Sequence, residues 1–287
     1  MGASRAQIMI EERDLEIVLG SPDPRLRDCV RRYFGYFERS SGFSHTRELP
    51  SADVTLIIGF GPPIGIAYPR SNGGTSTGHI SFVAGLHDSY VIVEAGEWQS
   101  GIEVNLTPLG TFLLFGVPME ALSNRVVALD DLLGGTAARL LTERLYEAPG
   151  WEARFELIDG FVASRLTRVG APSPDVAWAW RRLSDSRGGV EIGALAGELG
   201  CSRKHLIARF REQVGLPPKT IARILRFRGA LASLENGNGD RLAEIAQDCG
   251  YYDQAHLNRD FREFAGLSPT EFLDRRLPGG EGSAAAA

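Results

Sequence analysis

The stretch Phe210-Arg211-Glu212-Gln213-Val214-Gly215-Leu216-Pro217-Pro218 recurs near the C-terminus as Phe261-Arg262-Glu263-Phe264-Ala265-Gly266-Leu267-Ser268-Pro269. The two stretches lie 51 residues apart and are identical at six of nine positions. Upstream, Leu195-Ala196 matches Ile245-Ala246 at an offset of 50, so the second copy has one extra residue in its turn, where a change of length is tolerated. The last hundred residues therefore contain two copies of one structural unit.

Each copy has the pattern of a short helix, a glycine-marked turn and a second helix. The helices are predicted at residues 191–199 and 203–214 in the first copy, and at 241–249 and 254–265 in the second. A helix over residues 218–234 connects the copies and spans roughly 25 Å at 1.5 Å per residue. This order predicts two helix-turn-helix motifs joined by a rigid rod, which could occupy neighbouring segments of a groove.

Capping residues stand at both ends of the two second helices. Ser202 and Asp253 occupy N-cap positions, where a side-chain oxygen accepts a hydrogen bond from a first-turn amide. Gly215 and Gly266 occupy the opposite ends, where a left-handed residue stops a helix. The caps therefore support the predicted helix bounds.

Helical spacing separates a buried face of each second helix from an exposed one. The predicted buried positions are Leu206, Phe210 and Val214 in the first copy, and Leu257, Phe261 and Phe264 in the second. The opposite face carries Lys204, His205, Ala208 and Arg211 in the first copy, and Ala255, His256, Arg259 and Arg262 in the second. Ile207 and Asn258 lie at the border of this face. Arg259 lies furthest from the core, where it could make a bidentate contact to a guanine edge.

Positive charge is concentrated in the first copy, although the chain as a whole carries a net charge of −5. Residues 201–228 hold eight basic residues and one acidic residue, which gives +7, whereas the part before Ala171 holds 15 basic and 21 acidic residues. Such a local excess is typical of a surface that binds phosphates. Arg211 and Arg262 occupy matching positions of the two copies, which favours phosphate or intrahelical contacts over base reading. His205 and His256 also occupy matching positions, which favours packing under the turn.

The last hundred residues resemble the DNA-binding module of the AraC/XylS family of bacterial transcription regulators. The match covers residues 190–274, and its most specific part is Ile245-Ala246, Gly250-Tyr251, residues 254–261 and Gly266-Leu267-Ser268-Pro269. The resemblance implies two recognition helices in successive major grooves on one face of double-stranded DNA, and activation through contact with RNA polymerase. Ile207 and Ala208 depart from the longer polar residues that are frequent in the family, so the first helix is expected to read a thymine methyl group or to specify little.

The resemblance and the exposed faces together give the expected DNA contacts. The expected base-contacting residues are Lys204, Ile207, Ala208, Asn258 and Arg259. The expected backbone-contacting residues are Arg203, Arg211, Lys219, Arg223, Gln254 and Arg262.

The part before Pro118 has the pattern of a β-rich domain. Short apolar runs at residues 54–60, 80–84, 90–94 and 101–106 predict strands, with turns at 41–42 and 72–74. In the last run, alternate residues predict one buried face, formed by Ile102, Val104 and Leu106, and an opposite face with Glu103 and Asn105. The chain is thus expected to be α+β, with an N-terminal cupin-like barrel or sandwich with helices and an all-α C-terminal domain.

Helical spacing returns at residues 136–147 and 151–169, where Phe155, Ile158, Val162, Leu166 and Val169 form a nearly heptad stripe. The stripe is compatible either with packing on its own domain or with a dimer seam. Residues 170–174 have the composition of an interdomain linker, and 279–287 that of a disordered tail. The expected division is 15–135 for a regulatory domain, 136–170 for a helical linker with possible dimer helices, 175–277 for the DNA-binding domain and 278–287 for the tail.

Residues 32–36 and 49–56 resemble the N-terminal domains of a subset of the same family. Effector domains of that family are small cupin-like barrels that bind a ligand and carry a dimer helix, so a small-molecule effector and a homodimer are expected. His45, His79 and His87 lack the close His-x-His spacing of a metal-binding cupin, so neither a metal nor a cofactor is expected. Phe82, Val83, Trp98, Phe112 and Phe115 are expected to fill a core or to line a pocket.

Two other functions remain open from the residues alone. The N-terminal domain could only dimerise or bind a protein, or the chain could be an enzyme such as a DNA-repair alkyltransferase. Cys29, Cys201 and Cys249 lack an adjacent Pro-His or Cys-His context, and Cys201 and Cys249 fall at packing positions of the repeat. Glu94, Glu97 and Glu103 are near each other in sequence, but alternating strand faces are expected to give them no shared site. The chain is therefore expected to be a regulator and not an enzyme.

Cysteine usage and hydropathy favour a cytoplasmic protein without a membrane partner. The three cysteines are widely spaced, which argues against a disulfide framework. The acidic start carries no secretory signal, and the most apolar segments are broken by glycine and proline.

Overall fold

The chain folds into an N-terminal β-rich region and a C-terminal helical region. The computed structural model describes residues 6–12, 14–40, 42–69, 76–166, 171–237, 241–275 and 284–285. The predicted turn at 72–74 and the last positions of the 151–169 stripe lie outside the described residues.

A seven-stranded antiparallel sheet forms the larger layer of the N-terminal region. In spatial order its strands are β1 (Ala6–Glu12), β2 (Leu15–Gly20), β3 (Val30–Arg39), β10 (Trp98–Leu106), β5 (Val54–Gly59), β8 (Phe82–Ala84) and β11 (Val126–Ala128). β1 precedes residue 15, the predicted start of the domain, and pairs with β2 along its length. The predicted strands at 54–60, 80–84 and 101–106 are thus all members of this sheet.

A second antiparallel sheet of five strands lies against the first. Its order is β12 (Ala284–Ala285), β4 (Ser44–Glu48), β9 (Val91–Ala95), β6 (Ile64–Ala67) and β7 (Thr77–His79). Ile57 and Phe82 from the first sheet pack against Ile64 and Ile66 from the second, and all four side chains are buried. The space between the sheets is therefore filled by side chains. The region has the β-rich architecture that the sequence predicted.

Strand β10 occupies the centre of the larger sheet, between β3 and β5. Ile102, Val104 and Leu106 are fully buried, as their alternation predicts. The opposite face is less exposed than expected, because Nε of Arg32 donates to Oδ1 of Asn105 at 2.9 Å and Nδ2 of Asn105 donates to Glu103 at 2.6 Å. Asn105 is buried as a result.

The helices of the N-terminal region follow the strands. They are α1 (Pro108–Phe115), α2 (Leu129–Leu133), α3 (Gly135–Glu147) and α4 (Trp151–Leu166). Short 3-10 turns lie at Pro24–Leu26 and Met119–Ala121.

Helix α4 packs on its own sheet. Its residues Phe155, Ile158 and Val162 are at most 1% exposed within the single chain. The ring of Phe155 stacks on Tyr33 at 5.3 Å, and Gly20 and Gly35 leave room on the sheet for the rings of Phe155 and Trp151. Between the two alternatives for the stripe, the buried part therefore serves intrachain packing and not a dimer seam.

The C-terminal region is helical. Its helices are α5 (Pro174–Asp185), α6 (Ile192–Glu198), α7 (Arg203–Val214), α8 (Pro218–Glu235), α9 (Leu242–Asp248), α10 (Gln254–Phe264) and α11 (Pro269–Asp274). The linker predicted at 170–174 ends at α5, where the amide of Ser173 donates to Oε1 of Gln213 at 2.9 Å. Gln213 is buried, so this end of the linker is fixed to α7.

The predicted domain bounds stay predictions, as does the disordered tail. Within the tail only Ala284–Ala285 is described, and it pairs with Arg47 and Thr46 of β4. None of the helices in the described part of the chain is long and apolar enough to cross a bilayer.

Candidate nucleic-acid interface

The second helix of each motif, α7 or α10, begins with the same hydrogen bond. The side chain of Ser202 accepts from the amide of His205 at 3.2 Å, and Asp253 accepts from the amide of His256 at 2.7 Å. Each satisfies one of the amides that the first turn of a helix leaves without a partner. The N-caps predicted from the sequence are therefore confirmed.

The turns of the two motifs also share one backbone geometry. Gly200 has φ = +63° and Gly250 has φ = +73°, and the next amide in each case bonds back to the preceding helix. Cys201 donates to the carbonyl of Ala196 at 3.0 Å, and Tyr251 donates to that of Ala246 at 2.8 Å. Because this left-handed turn fixes the angle between the helices, both motifs present their second helix in the same way.

Helix α8 is the shared core of the two motifs. The ring of Phe227 lies 4.8 Å from that of Phe261 and 5.3 Å from that of Phe264, while Phe210 of α7 packs against Trp180 of α5. The buried stripes predicted for α7 and α10 are fully confirmed, since each of their six residues is at most 1% exposed. The connecting helix α8 thus packs on α10 of the second motif, while α7 of the first motif contacts both α5 and α8.

The predicted base-contacting residues do not all project equally. Lys204, Ala208 and Arg259 are exposed, whereas Ile207 and Asn258 are half-buried. The Oδ1 atom of Asn258 is buried and has no hydrogen-bond partner, so this side chain is turned partly toward the domain. Among the predicted base-contacting residues, the long basic side chains that are exposed are Lys204 on α7 and Arg259 on α10.

Most of the predicted backbone-contacting residues are exposed around these two helices. They are Arg203, Arg211, Lys219, Gln254 and Arg262. Arg228 on α8 is exposed as well. An array of cations around two helices of this kind suits the phosphates on either side of a groove.

Arg223 differs from this set, because its side chain forms ion pairs inside the domain. Its guanidinium donates to Oδ1 of Asp260 at 2.7 Å and to both carboxylate oxygens of Glu263. The hydrogen bonds to Glu263 and Asp260 raise the pKa of Arg223, and Asp260 is buried. Arg223 therefore joins α8 to α10, which argues against the contact with the DNA backbone expected from the sequence.

Arg226 is engaged in a similar way. Its Nη1 donates to the carbonyl of Gly188 at 2.9 Å, and its guanidinium lies 5.7 Å from the ring centre of Tyr251. Of the eight basic residues in the 201–228 window, Arg223 and Arg226 thus serve packing. The other six are exposed: Arg203, Lys204, Arg209, Arg211, Lys219 and Arg228.

The recurring histidines and cysteines have unequal roles. His256 contacts the ring of Tyr251 edge-on at 5.2 Å, as expected for packing under the turn, but His205 is exposed and does not pack there. Cys201 and Cys249 pack against the core, as predicted. Burial raises the pKa of the Cys29 and Cys249 thiols, which is the opposite of what a nucleophilic cysteine needs.

The N-terminal region contacts the C-terminal ends of α7 and α10, a feature that no sequence pattern predicted. A side chain at Gly215 would collide with Ser123, and one at Gly266 would collide with the ring of Tyr90. Nη1 of Arg47, on β4, donates to the carbonyl of Ala265 at 2.8 Å. Both C-capping positions therefore serve as contact points for the β-rich region.

The five apolar residues that were proposed to fill a core or to line a pocket fall into two groups. Phe82, Val83 and Phe115 are buried in the core and Phe112 is half-buried against it, whereas Trp98 lines a surface cavity. Contrary to expectation, Glu94 and Glu97 line that same cavity, while Glu103 lies elsewhere. Among the described residues, no three His, Cys, Asp or Glu side chains are grouped so as to hold a metal ion.

Comparison with known proteins agrees with the doubled motif. Residues 195–275 match a family model described as a helix-turn-helix domain, of the AraC type. No curated protein sequence is significantly similar to the chain.

Several solved structures are similar to the chain. ToxT from Vibrio cholerae O395 is 13% identical with a TM-score of 0.46, and the match covers 84% of this chain and 97% of that chain. The C-terminal domain of AraT, a response regulator from Geobacillus stearothermophilus, is 20% identical with a TM-score of 0.32, covering 39% of this chain and 93% of that chain. The AraC-like transcriptional activator CuxR is 15% identical with a TM-score of 0.34, covering 82% of this chain and 88% of that chain.

The resemblance of the C-terminal region to the AraC/XylS family thus rests on the family match and on two motifs that share caps, turns and buried stripes. Residues 195–275 form an AraC-type helix-turn-helix domain.

Proposed function

We propose that the protein is a sequence-specific DNA-binding regulator of transcription, with α7 and α10 entering two neighbouring segments of the major groove. The observation that carries the proposal is the pair of identically capped helices held on α8, each with an exposed basic side chain at its outer face. The second helix of a helix-turn-helix motif typically lies in the major groove, which supports this proposal.

Arg259 is the principal base reader in this proposal. It is exposed on the face of α10 opposite the buried Leu257, Phe261 and Phe264. A guanidinium in that position can donate two hydrogen bonds to O6 and N7 of a guanine, and such a contact contributes about 1–3 kcal/mol of discrimination. Lys204 has the corresponding role on α7.

The two helices are expected to differ in specificity. Beside Lys204, α7 offers Ala208, which is exposed, and Ile207, which is half-buried. Short apolar side chains can contact a thymine methyl group but cannot form hydrogen bonds with base edges. Asn258 reaches a base only if its side chain turns outward from its half-buried position.

The exposed cations supply affinity that does not depend on sequence. We expect phosphate contacts from the exposed Arg203, Arg211, Lys219 and Arg262, together with the amide side chain of Gln254 at the start of α10. Each phosphate neutralised releases counterions, so binding should weaken steeply with salt.

The test is selection of genomic DNA fragments by the purified chain, at two salt concentrations. We expect a recurrent motif that spans about two helical turns of DNA. Arg259→Ala should blur the motif in one half only. Arg139→Ala removes an exposed arginine from α3 and serves as the matched control that leaves the motif intact. Enrichment without any motif, or a motif unaffected by Arg259→Ala, would contradict the proposal.

We also infer that a small-molecule effector acts through the N-terminal region. The contacts of Arg47, Tyr90 and Ser123 with the ends of both recognition helices support this, because a change in the β-rich region would alter how those helices are held. Thermal melting of the full chain against a panel of small molecules tests the inference, since a ligand specific for the folded state raises the melting temperature. A homodimer and contact with RNA polymerase stay predictions of the family resemblance.

A further inference from the structure

A surface cavity lies on the outer face of the five-stranded sheet, opposite the face that packs on the larger sheet. Its floor is one cross-strand row, in which His45 pairs with Glu94, Glu94 with Gly65, and Gly65 with Gly78. All four residues line the cavity. On the inner face, Ile64 and Ile66 fill the space between the sheets. The cavity therefore opens on the outer face of the sheet.

Two glycines lie side by side in this floor, and neighbouring side chains pack directly against them. A side chain at Gly65 would collide with Oγ of Ser76 and would come within 3.0 Å of Oε2 of Glu94, and one at Gly78 would come within 3.2 Å of Pro63. Pro62 and the ring of Trp98 line the cavity as well. The cavity has a volume of about 570 Å³, which falls in the range of sites for small ligands.

The lining combines negative charge with exposed aromatic rings. Glu94 and Glu97 contribute two carboxylates, and Nε2 of His45 lies 3.7 Å from Oε1 of Glu94. Phe43 is 79% exposed and Trp98 is 39% exposed, although rings of this size are usually buried. Neither Lys nor Arg occurs among the described residues that line the cavity.

We propose that this cavity binds a small organic cation with a methylated ammonium head group. Carboxylates beside exposed Trp and Phe rings attract such a cation, because the charge interacts with the carboxylates and the methyl groups interact with the negative faces of the rings. An anion would be repelled by Glu94 and Glu97. The inference rests on the proposed function, since it names the chemical class of the effector of this regulator.

The position of the cavity connects it with the DNA-binding domain. His45 and Arg47 are two residues apart on β4 and therefore point to the same face of the sheet. Arg47 donates to the carbonyl of Ala265 at the end of α10. A cation held at Glu94 thus lies on the same face of the sheet as Arg47, whose cross-strand row is two residues further along β4.

The experiment is isothermal titration of the full chain with tetramethylammonium, choline and benzyltrimethylammonium, using 3,3-dimethyl-1-butanol as the neutral counterpart of choline. We expect saturable binding of at least one of the cations and none of the neutral alcohol. Glu94→Gln and Trp98→Ala should each weaken binding at least about tenfold. Glu38→Gln removes an exposed carboxylate from β3 in the other sheet and should leave binding unchanged.

The result that overturns the proposal is absence of binding by all three cations, or equal binding of the alcohol, or binding that neither cavity variant weakens. Circular dichroism of each variant establishes that it is folded, and Glu97→Gln replaces any variant that is not. DNA selection is a separate measurement on the same protein. A sequence motif without cation binding would reject the cavity proposal alone, and cation binding without a motif would reject the regulator proposal alone.

Discussion

Nη1 of Arg47 donates a hydrogen bond to the carbonyl oxygen of Ala265 at 2.8 Å, so a strand of the N-terminal sheet is bonded to the end of recognition helix α10. Arg47 is only 7% exposed, and its guanidinium lies 4.6 Å from the ring centre of Tyr90, which in turn abuts Gly266. The positive charge of Arg47 also interacts favourably with the dipole of α10, because the negative end of a helix dipole lies at the C-terminus. The β-rich region therefore contacts the C-terminal end of α10 directly.

Replacing Arg47 by Met should release this end of α10. The variant keeps much of the apolar stem but leaves the carbonyl of Ala265 without its partner, which costs about 1–3 kcal/mol in the free energy of unfolding. Urea denaturation measures the loss. Arg39→Met alters an exposed arginine of β3 and is the matched control. If both variants unfold at the same urea concentration, Arg47 does not hold the helix.

Gly266→Ala should destabilise the chain more than Gly200→Ala. Both glycines have positive φ, +70° and +63°, so alanine meets about 1–2 kcal/mol of backbone strain at either site. Only at Gly266 would the added methyl group also collide with Tyr90, whereas open space surrounds Gly200. Thermal melting of the two variants separates the effect of backbone strain from that of the interdomain contact. Equal decreases in melting temperature would show that the ring of Tyr90 moves aside at no cost in stability.

Arg223→Met should reduce stability without changing the number of phosphate contacts. The substitution leaves the buried Asp260 without its cation, and removing one partner of such a pair costs about 3–5 kcal/mol. Glu212→Gln breaks an exposed pair with Arg209 and should cost no more than about 1 kcal/mol.

The salt dependence of DNA binding distinguishes Arg223 from a true phosphate contact. Arg211→Met should lower the slope of log affinity against log salt by about 1, since Arg211 is exposed on α7. Arg223→Met, measured where the variant remains folded, should keep the wild-type slope. A slope reduced in both variants would return Arg223 to the DNA contacts predicted from the sequence.

His87 should make the chain less stable in mild acid. Burial lowers the pKa of His87; its Nδ1 lies 2.6 Å from the carbonyl of Gly85 and its Nε2 is buried without a partner. Below about pH 6.5 the unfolded chain takes up a proton that the folded chain resists, so the free energy of unfolding falls as the pH falls.

The matched variant for this effect is His87→Phe, which retains an aromatic ring for the stacking on Tyr68. Urea denaturation between pH 5.5 and 7.5 should give a flatter profile for the variant than for the wild type, with a difference of at most about 1.4 kcal/mol per pH unit. Parallel profiles would mean that His87 is protonated as readily in the folded chain as in the unfolded chain.

The sequence by itself determined the C-terminal motifs, because their signals are local. Ser202 and Asp253 cap amides three residues away, and Gly200 and Gly250 form turns by their own backbone freedom. The spacing of apolar residues along α7 and α10 likewise needs no distant partner to be read. The expected exposure of Lys204 and Arg259 followed from the same helical geometry.

Only the tertiary structure decided which cations face outward and what the β-rich region contacts. Arg223 and Arg211 look alike in sequence, but Arg223 meets Asp260 and Glu263, 37 and 40 residues away. Arg47 and Ala265 are separated by 218 residues. Pairings at such separations are set by packing of whole elements, and a local pattern carries no information about which side chain will lie opposite another.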